Sequence, residues 1–258
     1  MSQFHLVRVI RERIARLGNK AALRVQQDGQ WRAIGWRTLG QAMDYCAQGL
    51  IRAGHQSGEM VGIYARNMPE WTQADLGILA ARGVSVPIYP TSTLDQLRYI
   101  VKDAGIRMLF VGEQPQFDQA LQLIDSGEIR HIVALDGTVD LRGCAAASHF
   151  QTFLVSGNHP PSELELRERE CHYRMDDLLT LIYTSGTTGE PKGVMLDFAN
   201  MAACFEMHDR RLDLNEQDVS LCMLPLSHVF ERAWSYYVLY CGAENVYIRD
   251  PQKVMDVI

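Results

Sequence analysis

The sequence predicts an α/β protein of layered, mainly parallel sheets with helices packed on them, incomplete at its C-terminal side. Three observations carry this. From residue 59 onward, strand-like and helix-like segments alternate, giving strand, helix, strand, helix, strand within about 55 residues, the rhythm of a parallel sheet. With 47% hydrophobic and 22% charged residues, the 258-residue chain has apolar residues enough for a sizeable core. The closing PQKVMDVI starts a helix that stops without a C-cap, so the sequence reads as part of a longer one.

Taken in order, the N-terminal MSQFHLVRVIRERIARLGNKAALRV is charged and has no apolar core of signal-peptide type. Leu6, Val9, Ile10, Ile14 and Leu17 fall near helical spacing, and Glu12 shares the polar face with arginines, so an amphipathic helix packed on its own domain is expected. EMVGIYARN (59–67) fits a strand, and PEWTQADLGILAARG a helix with Pro69 near its first position and Gly83 placed to cap its end. VSVPIYP is the next strand. Thr93 is an N-cap with Gln96 completing a capping box, Leu94, Leu97, Ile100 and Val101 line one helix face, and Gly105 ends it. IRMLFVG and HIVAL (131–135) are strands. Residues 136–176, with Pro160, Pro161 and the charged run ELELRERE, show no clear periodicity and read as a long connection holding at most a short helix. LLTLIY (178–183) is a buried strand, FANMAACFEMHDR a helix, VSLCMLPL (219–226) a strand, HVFERAWSYYVLYCGA a helix and ENVYIR a strand.

Net charge is −6, so no basic excess points to nucleic acid as a partner. Six scattered cysteines contain neither CxxC nor a zinc-type spacing and suit reduced, mostly buried thiols of a cytoplasmic protein. No stretch of about 18 apolar residues is present, so no bilayer span is expected, while peripheral membrane contact stays open.

The chemistry concentrates in YTSGTTGEPKGV (183–194). Its glycines let backbone amides approach a ligand, consecutive N–H groups can form an anion-binding nest, and hydroxyl donors reorient around phosphate oxygens. Lys192 adds one positive charge. A flexible Gly/Ser/Thr linker has the same composition, but the buried-type strand before and the apolar VMLDFANM after weigh against it. It is not a Walker A loop, because Pro191 precedes Lys192 and Gly193 follows it.

This segment resembles the phosphate-binding signature of the adenylate-forming (AMP-binding) synthetases, among them acyl-CoA synthetases, luciferases and peptide-synthetase adenylation domains. WRAIGWRTLGQAM, GILAARGVSVPIYPTST and LCMLPLSHVFERAWSYYVLYCGA resemble further motifs of that superfamily in the expected order, the first a short hairpin leading into a helix. PLSHVFER and YARNMPEW (64–71) are most similar to long-chain fatty-acyl-CoA synthetases. The resemblance implies attack of a fatty acid carboxylate on ATP to give acyl-AMP, then acyl transfer to coenzyme A. It implies that Thr184, Ser185, Gly186, Thr187, Thr188, Gly189 and Lys192 cradle phosphates, that Thr184 contacts Mg2+ or a triphosphate oxygen, and that His228 orients substrate and phosphates as a catalytic and substrate-binding residue. Trp234 is expected to border the acyl site, although aromatic spacing of this kind also suits plain core packing. Glu231 and Arg232 read as a solvated ion pair on a helix.

The resemblance covers the chain from about residue 20 to 250 and implies the first half of a large N-terminal domain, with residues 57–200 as one subdomain and 1–56 plus 215–258 as part of a second. The acidic magnesium segment, the ribose aspartate and the C-terminal lysine would lie beyond Ile258, so this portion alone is expected to bind nucleotide weakly and not to complete thioester synthesis. Bare sheet edges would favour aggregation or a homodimer. A non-catalytic scaffold that keeps the fold is the alternative, and the hydroxyl-rich loop favours the enzyme.

Overall fold

The computed structural model describes residues 4–27, 29–184 and 191–248. In chain order the elements are α1 (Leu6–Leu17), β1 (Ala21–Gln27), β2 (Gln30–Gly35), α2 (Trp36–Arg52), β3 (Met60–Tyr64), α3 (Pro69–Ala80), β4 (Val84–Ile88), α4 (Leu94–Ala104), β5 (Met108–Val111) and α5 (Gln114–Asp125). They continue with β6 (His131–Ala134), β7 (Ala147–His149), α6 (Phe150–Gly157), α7 (Pro160–Cys171), β8 (Leu178–Thr184), β9 (Lys192–Asp197), α8 (Phe198–Asp209), β10 (Val219–Cys222), α9 (Val229–Cys241) and β11 (Glu244–Tyr247).

The strands form two sheets. One has the order β7-β6-β5-β3-β4-β8-β9 and is parallel except for its edge pair β8–β9. The other has the order β10-β11-β1-β2, parallel through β1 and antiparallel at β2. The central strands β3, β4, β5 and β6 of the larger sheet are buried on both faces. Val61, Ile63, Phe110 and Val133 face one apolar cluster with α1, α2, α3, α6, α8 and α9, while Leu109, Val111, Ile132 and Ala134 face a second cluster with α4 and α5. The first cluster also takes in Leu23 and Val25 of β1 and Tyr247 of β11, so the helical layer carrying α2 and α3 is shared between the two sheets.

Local signals explain many element ends. Leu6, Val9 and Ile10 of α1 are buried and Ile14 and Leu17 pack against the same core, as the helical spacing predicts. In α4 the Gln96 N–H donates to Thr93 Oγ1 at 3.3 Å and the Thr93 N–H donates to Gln96 Oε1 at 2.9 Å, so the capping box is complete. The end of α3 departs from the expectation. The left-handed residue is Arg82 (φ 57°) and not Gly83. The Gly83 N–H reaches Ile78 O at 2.8 Å and the Arg82 N–H reaches Leu79 O at 3.1 Å, a Schellman turn with an arginine at its strained position. A bidentate pair from Arg82 to Asp177, at 2.8 and 3.0 Å, offsets that strain. Gly83 is required for space instead, since a Cβ there would lie 2.6 Å from His55 Nε2.

Residues 136–176 are not a loose connection: they hold β7, α6 and α7, and the charged run lies in α7. That helix has few apolar positions because a buried arginine anchors it. Arg169 donates to Ala81 O at 2.9 Å and to His55 O at 2.7 Å. The segment after the glycine-rich motif, read as merely apolar, is the edge strand β9, with Val194 and Met195 exposed. The helix expected at PQKVMDVI lies outside the described residues.

Candidate functional site

Parallel α/β sheets place ligands at the carboxyl ends of their strands. Here the neighbouring strands β4 and β8 end at Ile88 and Thr184, and beside them lies a cleft of about 500 Å³. Tyr89, Ser92, Tyr183, Thr184, Pro191 and His228 are among its lining residues. The structure therefore brings together two side chains singled out in the sequence, Thr184 and His228, which lie far apart along the chain.

Thr184 is the last residue of β8 and is exposed, paired in register with Lys192 at the start of β9. The Lys192 ammonium has no partner among the described residues, so no carboxylate anchors it there, and Lys192 is not among the cleft's lining. Ser185, Gly186, Thr187, Thr188 and Gly189 lie outside the described residues. Around them the hairpin is pinned. Tyr99 of α4 donates to Pro191 O at 3.0 Å, and the Tyr183 hydroxyl donates to Asp103 Oδ2 at 2.6 Å. Burial and the Asp103 carboxylate hold the Tyr183 phenol above its usual range, so it stays a neutral donor. Gly193 pairs with Tyr183 across the strands, and a Cβ at Gly193 would meet the Tyr183 ring at 3.2 Å. The glycine after Lys192 thus makes room for the aromatic that orients the strand end.

His228 is the N-cap of α9 and is exposed; its Nδ1 accepts from the Phe230 N–H at 3.2 Å. With Nδ1 accepting, the neutral ring carries its proton on Nε2, which has no partner among the described residues. The residue is thus at once a helix cap and a donor on the cleft wall.

Beneath the cleft, α9 is fastened to both floor strands by groups that sequence reasoning missed. Arg232, one turn on from His228, is fully buried. It donates to Asp75 Oδ1 of α3 at 2.6 Å, to Thr180 Oγ1 of β8 at 2.5 Å and to the Tyr236 hydroxyl at 3.0 Å. Tyr236 in turn donates to Asp75 Oδ2 at 2.5 Å, and Thr180 Oγ1 donates to Ser85 O of β4 at 2.6 Å. The guanidinium also lies over the rings of Trp71 and Tyr236, 5.5 and 5.4 Å from their centroids. This corrects the reading of Glu231 and Arg232 as a solvated pair: both are buried, and neither pairs with the other. The Glu231 carboxylate accepts from Leu224 N at 3.1 Å, and burial raises its pKa above the ordinary carboxylate range. Asn67, within YARNMPEW, also holds the approach to His228, its Nδ2 donating to Leu224 O at 2.6 Å and its Oδ1 accepting from Leu226 N at 2.9 Å.

Trp234 is half-buried, donates to Ser220 Oγ at 2.8 Å, and packs near Tyr237 and His208; it is not among the residues lining the cleft. Among the described residues no group of three His, Cys, Asp or Glu could hold a metal ion, and no helix is long and apolar enough to cross a membrane.

Comparison with known proteins bears on this geometry. The profile of the AMP-binding enzyme family matches residues 10–258. The chain is 31% identical over 243 residues to long chain acyl-CoA synthetase 6, peroxisomal, of Arabidopsis thaliana, covering 90% of this chain and 34% of that protein. It is 32% identical over 235 residues to the long-chain-fatty-acid–CoA ligase FadD15 of Mycobacterium bovis, covering 90% and 38%. The chain thus spans about a third of the length of these curated relatives. Its fold is also that of ATP-bound MatB from Rhodopseudomonas palustris, with a TM-score of 0.76 at 21% identity over 98% of this chain and 48% of the other.

Proposed function

The chain belongs to the AMP-binding enzyme family, and from that premise we propose that its cleft serves ATP-dependent activation of a long-chain fatty acid to acyl-AMP, followed by transfer of the acyl group to coenzyme A. The observation that carries this reading is the meeting of Thr184 and His228 on one cleft at the carboxyl ends of β4 and β8. Activation moves charge between oxygens that begin negative, so the protein's part is positioning and electrostatic stabilisation. In this reading the Thr184 hydroxyl donates to a phosphate oxygen, Lys192 neutralises charge at the far end of the hairpin, and His228 Nε2–H donates to the oxygen shared by carboxylate and α-phosphorus. Ser185, Gly186, Thr187, Thr188 and Gly189 complete the phosphate cradle. Mg2+ would neutralise the phosphates, with Thr184 its ligand from this chain. The exposed apolar side chains of Met223, Leu224, Val229 and Phe230, in the segment around His228, support an acid with an apolar tail. Trp234 is given a supporting place behind this segment. Residues 57–200 are taken as one subdomain, and 1–56 with 215–258 as part of a second.

The test is pyrophosphate release by the intact protein supplied with ATP, Mg2+ and fatty acids of graded length. Long-chain acids should stimulate release, and His228→Ala should lower kcat/KM about 10²-fold. ATP binding with no acid-dependent pyrophosphate would leave a non-catalytic scaffold.

A further inference from the structure

The amino-terminal end of the larger sheet carries a second cleft, of about 540 Å³, with different chemistry. Met60 and Met108 are the first residues of β3 and β5, and both line it, so it lies at the amino ends of the strands, across the sheet from Thr184. Phe153 of α6 adds an aromatic wall. Around this apolar surface stand Arg52 at the end of α2, Arg107 just before β5 and Arg130 just before β6. Arg52 donates to Ser156 O at 2.7 Å and Arg107 to Glu128 O at 3.3 Å. None of the three guanidinium groups is in an ion pair among the described residues. The acidic residue that lines the cleft, Glu59, is already engaged: it accepts from Gln56 N at 2.8 Å and faces His55 Nδ1 at 3.5 Å.

Three exposed cationic side chains lining one concavity give it a positive local field that favours an anion. Guanidinium forks match phosphate oxygens in pairs, and three exceed what one carboxylate can use. The volume falls in the range of small-molecule sites, and the apolar wall requires a ligand that is more than an inorganic anion. We infer that this cleft is a second ligand site, separate from the nucleotide cleft, that binds an amphipathic phosphate: an alkyl chain against Met60, Met108 and Phe153, headed by a phosphate monoester held by Arg52, Arg107 and Arg130. The inference does not depend on the proposed ligase activity, because none of these residues lines the other cleft.

The experiment reads the site itself. Intact protein labelled with 13C at methionine methyl groups is titrated with dodecyl phosphate below its micelle concentration, and the Met60 and Met108 signals are assigned by Met→Leu substitution. Both signals should shift saturably, and inorganic phosphate should act about tenfold more weakly or less. In the triple variant R52Q/R107Q/R130Q, affinity should fall about tenfold or more. The variant breaks no ion pair, and an unchanged methionine spectrum without ligand shows that it is folded; each single variant provides the same readout should the triple variant not be. His228→Ala should leave the titration unchanged. Signals that stay still, that shift equally in the folded arginine variants, or that respond to inorganic phosphate as tightly as to dodecyl phosphate overturn the inference.

Discussion

Strand β8 passes through two regions of opposite character within four residues. At Thr180 it enters a dry polar cluster in which Asp75, Arg232, Tyr236 and Thr180 satisfy one another and nothing faces water. At Thr184 it leaves the core, and the polar groups there, the Thr184 hydroxyl, the Lys192 ammonium and His228 Nε2, have no partners among the described residues. Buried polar groups are tolerated when fully paired, whereas exposed ones held on rigid elements are available to a ligand. The closed cluster fixes the angle between β4, β8 and α9, and the open end inherits that geometry. On this view the cluster should govern stability and the cleft should govern activity.

The largest expected effect comes from breaking the closed region. Arg232→Met conserves volume but leaves Asp75 buried without its cation, and losing one partner of a buried pair costs about 3–5 kcal/mol. Urea unfolding should show that loss, and Arg232→Met with Asp75→Asn should recover part of it. A loss below about 1 kcal/mol would mean that the cluster does not hold α9, and the contrast between the regions would fail.

His5 sharpens the contrast from another side. It is buried in the scaffold, stacked between Tyr173 and Phe198 with centroids 4.6 and 3.9 Å away, yet neither ring nitrogen has a partner among the described residues. Burial, helped by nearby Arg8, lowers its pKa from 6.5 to about 4. The folded state therefore disfavours the charged ring: its stability is fully present above pH 6.5 and is lost as pH falls toward about 4. Against His5→Phe, which cannot titrate, the wild-type protein should lose up to about 3 kcal/mol between pH 7 and pH 4. Parallel urea curves at the two pH values measure it, and a constant difference between the proteins would show that the ring is not held neutral.

These two regions were unequally legible in the sequence. The alternation of strands and helices and the Thr93 capping box are local patterns, and the structure contains the elements they predict; the glycine-rich motif and PLSHVFER stood out only through their resemblance to family motifs, and most of the former lies outside the described residues. The closed cluster was invisible because Arg232 and its partner Asp75 are 157 residues apart, while the adjacent Glu231 offered a false partner. Helix α7 escaped for a similar reason: beside the single buried leucine Leu166 it is held by Arg169 on the backbone of Ala81 and His55, which leaves no apolar period to read. Strand β9 lies on an exposed edge with Val194 and Met195 facing outward, so its pattern resembles neither a core strand nor a loop.

The smallest effect on stability, and the finest division between the regions, is expected at His228. It belongs to both, since Nδ1 caps α9 while Nε2 is on the cleft wall. His228→Ala removes cap and donor together and should cost about 1 kcal/mol of stability along with activity. His228→Asn supplies a side-chain oxygen for the Phe230 N–H, so its stability should stay within about 0.5 kcal/mol of wild type. It should nevertheless release pyrophosphate as slowly as His228→Ala, because no imidazole N–H remains for the cleft. Thermal unfolding and acid-dependent pyrophosphate release, measured on the same two variants, separate the roles: an active Asn variant would show that no imidazole is needed on the cleft wall.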